Sequence, residues 1–571
     1  PLLLRGMGEE TCRTQQMKEM MKTLCGEIHI PTLVFCSGCL FCTSAHFPET
    51  EKIIREKWAV TGMIVMLLLC AVSVFRGKQF IARPDKVFKT FALLGVVEIA
   101  IVLLQLFRVL PSLHPLLRFT GSFRNPSVFA MMMALCLPIC VFYVIRYDDM
   151  LKGVGKAKFS STIRLQENTQ AKNLWLFLTA CVLSCIVLAE SRTGIIAGVC
   201  SSFMVAFWEI PKFRSCLSNR KILFLAVCCG TMLLAASYCY KRDSADGRAL
   251  IWAVSFRMIV QKPLLGWGEN GFSSSYMPHQ AIFLSGHEGT KFSYLADNVS
   301  HPLNEFLLFG VKYGVVGITI LLGITAFLVK VIIKNRNTYT SLYLGSILTL
   351  FVLSMFYYPY TVPLIWLVST FLICSAVSLY CNNSPWRRKV MQSLLVFSAI
   401  WIIGRNANIY EEWQWLKLQT SQAPVDRAYQ EYSRLYKKLS TNPSFLYNYG
   451  AWLHHNGFYK ESMKILFECT RSYDDYNVEL LIADNYRQLG ETKCAIERFG
   501  YANAMIPCRF LPLYHEMLIY KEEEDLYNAC RIARIIITKP VKIQKSPSVR
   551  KIKYEAEAVL KSAPCDATQI H

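Results

Sequence analysis

The sequence predicts an all-α protein in two parts: a polytopic bundle of about 10–12 transmembrane helices, followed by a soluble α-helical repeat domain. Three observations predict it. Apolar runs close to the length needed to cross a bilayer recur between residues 30 and 404. Lysine and arginine collect in alternate loops between those runs. Beyond residue 405 the chain turns polar and aromatic-rich, with a helical pattern that repeats about every 33 residues.

Composition bounds the class. Of 571 residues, 53% are hydrophobic and the mean hydropathy is +0.30, which a soluble protein of this size rarely reaches. The net charge of +22 could suit a nucleic-acid binder. In a membrane protein, however, basic residues crowd the cytoplasmic loops, and that plainer reading is preferred, with no nucleic-acid partner. The 22 cysteines lie mostly inside apolar runs, as at Cys181 and Cys185, and read as small buried hydrophobes rather than a disulfide framework. The polar segment 1–29 carries no cleavable signal pattern.

The candidate spans are 30–46, 58–75, 88–107, 126–146, 174–190, 194–208, 222–240, 304–329, 340–356, 362–380 and 389–404. Pro31 and Gly38 interrupt the first. One alternating set of loops holds Arg76, Lys78, Arg83 and Lys86, then Lys152, Lys156, Lys158 and Arg164, then Lys212, Arg214, Arg220 and Lys221, then Lys334 and Arg336, then Arg387 and Arg388. The other set is sparse, with Arg108, Arg118 and Arg124, then Arg192 alone. The positive-inside rule puts the first set in the cytoplasm. Loops 108–125 and 241–303, and everything after 404, then fall outside. The organisation is a segment 1–29, a transmembrane domain 30–404 with a large extracytoplasmic loop 241–303, and a repeat domain 405–571. In that last domain Gly450, Gly457 and Leu466 correspond to Ala483, Gly490 and Phe499. Small residues at helix crossings with a glycine turn between them resemble tetratricopeptide repeats.

The segment from Lys241 to Asn304 is polar and walled by apolar runs. It holds Asp246-Gly247-Arg248 with Trp252, then Gly266-Trp267-Gly268-Glu269-Asn270-Gly271-Phe272, then His301-Pro302-Leu303-Asn304-Glu305. The glycine run lacks the strand-loop-helix setting of a nucleotide fold, so a tight turn with an interfacial tryptophan is the simpler account. Ser191-Arg192-Thr193-Gly194 sits between two spans with almost no loop. An arginine at membrane depth is costly unless it faces a polar cavity or a partner. Glu190 would serve for a structural pair; alternatively the guanidinium grips phosphate oxygens bidentately. The second reading is favoured because Arg248 and Arg124 fall on the same side against the charge trend. Arg124, in Gly121-Ser122-Phe123-Arg124-Asn125-Pro126, is either a substrate contact or a headgroup contact at a helix entry. His301 is a candidate base near neutral pH, with a structural role as the alternative. Asn304, Glu305 and Asp246 complete the candidate site. No metal-ligand spacing stands out in these loops, so neither a metal nor a cofactor is expected.

Taken in order, Gly121 to Pro126, Ser191 to Gly194, Asp246 to Trp252, Gly266 to Phe272, His301 to Leu307 with Gly314 and Gly317, and Tyr358-Pro359 with Pro363 resemble the O-antigen ligase family of membrane glycosyltransferases. The resemblance covers roughly residues 90 to 380, and the tail is similar to tetratricopeptide domains fused to some of these ligases. It implies a metal-independent transferase of the bacterial cytoplasmic membrane with its active loop and C-terminal domain in the periplasm. Such an enzyme moves a glycan from an undecaprenyl-pyrophosphate carrier to an acceptor hydroxyl on lipid A-core or a similar molecule. The resemblance gives Arg192 and Arg248 to the pyrophosphate and a loop histidine to the acceptor. The family's histidine directly precedes the asparagine, whereas this chain has Leu303 there and His301 two residues earlier, so Glu305 and Asp246 stand as alternative bases. Alternatives of function are an O-antigen or capsular polysaccharide polymerase and a protein O-oligosaccharyltransferase; more distant are a transporter and a non-catalytic assembly factor. Expected partners are the lipid-linked donor, the glycan or protein acceptor, membrane lipids and a protein bound by the repeats.

Overall fold

The computed structural model describes residues 28–41, 48–81, 83–114, 117–154, 161–217, 219, 232, 242–287, 289–381, 384–421, 423–542 and 546–562. Every regular element among them is helical, as the sequence predicts. Seven helical stretches are long and apolar enough to cross a membrane: Glu51–Phe75, Pro84–Leu106, Pro126–Asp149, Asn168–Leu188, Glu305–Lys334, Pro363–Cys381 and Pro385–Thr420. Two other expected spans are shorter apolar helices, Ile30–Phe41 and Thr340–Phe356. The helix Arg192–Glu209 covers the expected span 194–208 but is not among the seven, since it is short and the charged Arg192 and Glu209 at its ends lower its mean hydropathy. The expected span 222–240, apart from Met232, and residues 1–27 lie outside the described residues.

The chain divides into two compact units. The first comprises Pro1–Leu234 and Leu322–Arg405. Its core is built from Phe88, Phe91, Met132, Met133, Leu135, Tyr343, Leu353 and Phe371. The helix Arg192–Glu209 packs through small residues: a Cβ at Gly194 would lie 2.9 Å from the Cβ of Ala130. Glycines at such a crossing let two helix backbones approach closely, which gives apolar helices contact that lipid cannot supply. Cys36, Cys39, Cys70, Cys136 and Cys140 are buried free thiols, as expected of small hydrophobes; Cys530, in the second unit, is disulfide-bonded instead.

The second unit comprises Ala235–Leu321 and Asn406–His571. The polar segment after Lys241 is not an open loop but three helices, Arg242–Gln261, Gly271–Ser285 and Lys291–Leu295, leading into Glu305–Lys334. Leu250, Val254 and Met258 recur every four residues on the first of these, the spacing that puts apolar groups on one helix face. That face shares a core with Phe272, Tyr276, Met277 and Val311, and with Ala502, Met505 and Ile506 from the C-terminal region. Gln280, fully buried, donates to the carbonyls of Asp297 (3.1 Å) and Met505 (2.8 Å) and accepts from the Tyr276 hydroxyl at 3.0 Å. Arg509 donates to Asp297 at 2.8 Å.

The C-terminal region is a run of helical hairpins. Pro443–His455 pairs with Tyr459–Thr470, Tyr476–Gln488 with Thr492–Met505, and Leu511–Glu522 with Leu526–Thr538. Gly457 (φ +84°) and Gly490 (φ +79°) make the turns of the first two hairpins in the left-handed region, where glycine pays no Cβ penalty. Leu466 lies 2.6 Å from where Gly450 would carry a Cβ, and Ala483, Ala495 and Phe499 are buried at the matching seam.

Candidate functional site

In the first unit the segment Thr120 to Asn125 is held by a cage of polar side chains. Gln105 accepts from the backbone N–H groups of Thr120 and Gly121, both at 3.0 Å, and donates to the Gly121 carbonyl at 2.9 Å. Glu98, fully buried, accepts from the Ser122 N–H at 2.9 Å and from its hydroxyl at 2.5 Å. Glu51 is 4% exposed and lies between two guanidiniums, Arg55 at 2.8 Å and Arg124 at 2.9 Å. Arg55 also donates to the Ser122 carbonyl at 3.2 Å. Asn125 donates to the Tyr357 hydroxyl at 3.1 Å, and Tyr357 donates to Tyr358 at 3.0 Å. Two motifs far apart in sequence, Gly121–Pro126 and Tyr358-Pro359, thus meet in space.

Arg124 is therefore an ion-pair partner of Glu51, with its side chain 42% exposed. Arg192 opens the first turn of its helix, behind Ser191, whose hydroxyl caps the helix by accepting from Gly194 N–H at 3.2 Å. The first turn of a helix has N–H groups without intrahelical acceptors, so a helix start that carries an arginine is a setting that suits an anion.

In the second unit Asp246 and Arg248 sit on the helix Arg242–Gln261. Lys291 reaches across to Asp246 at 2.6 Å and to Asp243 at 2.9 Å, so these hydrogen bonds hold its ammonium pKa above the usual range. Arg248 is half-buried. One turn on from Arg248, the Trp252 indole donates to the Pro302 carbonyl at 3.0 Å, which fastens the histidine segment to the arginine helix. His301 Nδ1 accepts from the Leu303 N–H at 3.0 Å. The neutral ring then carries its proton on Nε2, which faces Glu305 Oε2 at 3.6 Å. Glu305 is 2% exposed. Asn304 caps the next helix, its Oδ1 accepting from Leu307 N–H at 3.0 Å. Leu303 between them has φ +55°, a left-handed turn that swings the chain from His301 into the helix.

The glycine run also finds its partner here. The helix Glu305–Lys334 breaks at Gly314 (φ 63°, ψ −160°). The carbonyls freed at Val311 and Lys312 accept from Trp267 N–H (2.8 Å) and Gly268 N–H (2.9 Å). The amides of Val315 and Val316 donate to Pro263 (2.8 Å) and Leu264 (3.4 Å). The Trp267 indole donates to Met258 O at 2.9 Å, with the Lys262 ammonium 3.9 Å from its ring centroid.

Sequence reasoning singled out Asp246, Arg248, His301, Asn304 and Glu305, and the structure carries all five on adjoining elements of one unit, with Arg124 and Arg192 in the other. It missed Glu51, Arg55, Glu98, Gln105 and Lys291. Glu98 and Gln105 had a signal: each is a polar residue inside an apolar run, which is expensive unless it serves a purpose. Among the described residues no group of three His, Cys, Asp or Glu side chains is arranged to hold a metal ion.

Helices of this length and composition, with a polar site folded from a segment between them, define an integral membrane protein. Residues 177–322 match the model of the O-antigen ligase family, a stretch that includes Arg192, Asp246, Arg248, His301, Asn304 and Glu305. That match supports a membrane ligase or polymerase role in polysaccharide biosynthesis. No curated protein matches the chain.

Proposed function

We propose that the protein is a membrane glycan ligase, which transfers a glycan from an undecaprenyl-pyrophosphate carrier to an acceptor hydroxyl on the outer face of the bacterial cytoplasmic membrane. The observation that carries this reading is the Trp252 to Pro302 bond. It joins the arginine helix to the His301–Glu305 turn, two motifs of the resemblance that both lie in the matched stretch, within one folded unit. Pyrophosphate is already a good leaving group, so the reaction asks for positioning and charge neutralisation more than for covalent chemistry. The acceptor oxygen forms the new bond to the anomeric carbon as the bond to the pyrophosphate oxygen breaks. The acceptor proton passes to a base, and the carrier leaves with its pyrophosphate.

Arg248 supplies a planar fork for phosphate oxygens. Arg192, at its helix start, keeps the pyrophosphate role that the resemblance gives it, and Arg124, Asp246 and Asn304 are retained as substrate contacts. His301 takes the acceptor proton on Nδ1 when the acceptor hydroxyl displaces the Leu303 N–H there, and Glu305, facing the Nε2–H, steadies the imidazolium that results. The C-terminal hairpins, with their paired glycine turns and buried small-residue seam, fit the tetratricopeptide likeness and serve to bind an acceptor or a protein partner. Lipid A-core is the first acceptor to test. Polymerisation of lipid-linked repeats is the second reading, since donor chemistry is shared.

The deciding experiment is a deletion strain examined for surface glycan, paired with purified protein supplied with lipid-linked glycan and lipid A-core. Ligation predicts loss of long chains from lipid A-core and accumulation of lipid-linked polymer. Single-repeat surface products in the deletion strain would assign polymerisation instead, and unchanged glycan in both assays would end the transferase reading.

A further inference from the structure

Away from the candidate site, a cleft of about 400 Å³ opens between two adjacent hairpins of the second unit. It is lined by Phe467 and Thr470 of one hairpin, Asp474 of the connection, and Glu479, Arg498 and Tyr501 of the next. Nothing in the transfer chemistry uses it.

Its floor is unusual. Asp474 is 8% exposed and Glu479 1%. Glu479 is satisfied, with Arg498 Nη1 donating to its two oxygens at 3.2 and 3.0 Å. The Oδ1 of Asp474 is buried with no hydrogen-bond partner among the described residues. Buried polar atoms are nearly always paired, so an unpaired one on a residue that lines a cleft is a candidate contact for something that binds there. Burial, with the negative Glu479 and Asp475 close by, pushes the Asp474 carboxyl up to about 8. Its Oδ1 can accept a hydrogen bond in either protonation state. The walls add two kinds of surface. The Arg498 guanidinium lies over the Phe467 ring, 5.3 Å from its centroid, with further N–H groups to donate. Phe467 and Tyr501 offer flat apolar area.

A ligand suited to this cleft has hydroxyls that donate to a carboxyl and accept from a guanidinium, and an apolar C–H face for an aromatic ring. A phosphate would meet Asp474, Glu479 and the exposed Glu497, and a simple cation would meet Arg498. We propose that the cleft binds a pyranose ring of a glycan, as a docking site for the acceptor or the growing chain. The inference rests on the transferase reading for its ligand class. The cleft's rim is fixed to the helix Gly271–Ser285, because Asp474 N–H donates to the Ser273 carbonyl at 3.0 Å and the Ser273 hydroxyl donates to the Ser472 carbonyl at 2.9 Å. A sugar held there is held on the same unit that carries Arg248 and His301.

The test uses the full-length protein in lipid nanodiscs. Methyl glycosides of glucose, galactose and N-acetylglucosamine are screened by saturation-transfer NMR, and an array of bacterial oligosaccharides is probed in parallel. Asp474→Leu removes the buried carboxyl and keeps the same number and branching of side-chain heavy atoms. It is expected to leave the melting temperature unchanged or raised while saccharide affinity falls about tenfold or more. Phe467→Leu, which keeps apolar bulk but loses the ring, is expected to weaken binding in the same direction. No saccharide bound by the wild-type protein, equal binding by both variants, or capture of a basic peptide with no saccharide would overturn the proposal. Transfer activity is measured alongside. Active protein that binds no saccharide sinks the cleft alone, whereas inactive protein that binds saccharide through Asp474 keeps the cleft and sinks the transferase.

Discussion

Gly314→Ala is expected to be among the most damaging single-methyl additions in the protein. Its φ of 63° with ψ of −160° is a backbone region open essentially to glycine, and another residue there costs on the order of 1–3 kcal/mol in strain. Space is a second obstacle. The new Cβ would lie 2.2 Å from the Leu264 carbonyl oxygen, 2.4 Å from its carbon and 2.5 Å from the Pro263 oxygen, all backbone. Relief requires the loop to lift off the helix break, with loss of the four backbone bonds that join them. At about 1 kcal/mol each, these bring the total to roughly 5–7 kcal/mol. For a unit of this size about 2–4 °C is lost per kcal/mol, so the melting temperature should fall by roughly 10–28 °C. Gly323→Ala, in the same helix with nothing within 4 Å of its Cβ, is the control and should be neutral. The assay is thermal unfolding of detergent-purified protein followed by fluorescence-detected size exclusion. If Gly314→Ala melts within a degree or two of Gly323→Ala, the loop does not hold the break and the reasoning is refuted.

Arg248→Lys keeps the charge but loses the planar fork, and at normal protein level transfer should drop at least about tenfold. Arg192→Lys is expected to do the same, and near-normal activity in both would remove support for bidentate phosphate binding. The stability of the second unit should carry the titration of Asp474. Its carboxyl pKa is raised by folding, so the stabilising contribution is complete below the unfolded carboxylate range and is lost as pH rises toward about 8. Asp474→Leu should therefore flatten the fall in melting temperature between pH 4 and pH 8; a parallel pH profile in wild type and variant would contradict this.

The transmembrane helices were legible because burial in lipid demands long apolar runs, and that signal is local. Thr340–Phe356 was equally plain from the same evidence. The segment 241–303 was less so. Its apolar positions Leu250, Val254 and Met258 are helically spaced, but they share a core with Ala502 and Met505, some 250 residues later, and no local pattern announces a partner at that distance. Ion pairs were hardest to foresee. Arg124 stood out because it ran against the charge trend, yet the structure turns it toward Glu51, at the head of a helix more than 70 residues earlier. Charge complementarity of that kind depends on tertiary placement. By contrast, the turn glycines Gly457 and Gly490 could be placed from the repeat alone, since the helical hairpin requires a left-handed residue where each falls.

The histidine register carries a further prediction. In the resemblance to O-antigen ligases, Leu303 falls where a histidine is expected, and His301 stands two residues earlier. The structure narrows that gap: His301 Nδ1 accepts from the Leu303 N–H at 3.0 Å, so the ring folds back beside the backbone of residue 303. Because Leu303 is already left-handed, at φ +55°, a histidine there would be no more strained than the leucine, as His is better tolerated in that region than bulky aliphatic residues. If the location of the imidazole matters rather than its number in the chain, His301→Leu should lower transfer by about a hundredfold, as expected for loss of a general base. Adding Leu303→His to that variant should restore part of the rate, and with it the arm of the pH–rate profile that reports imidazole titration. Glu305→Gln and Asp246→Asn, assayed alongside, distinguish the alternatives. Full activity in His301→Leu with a dead carboxylate variant would give the base role to that carboxylate and leave the histidine as the group that shapes the turn.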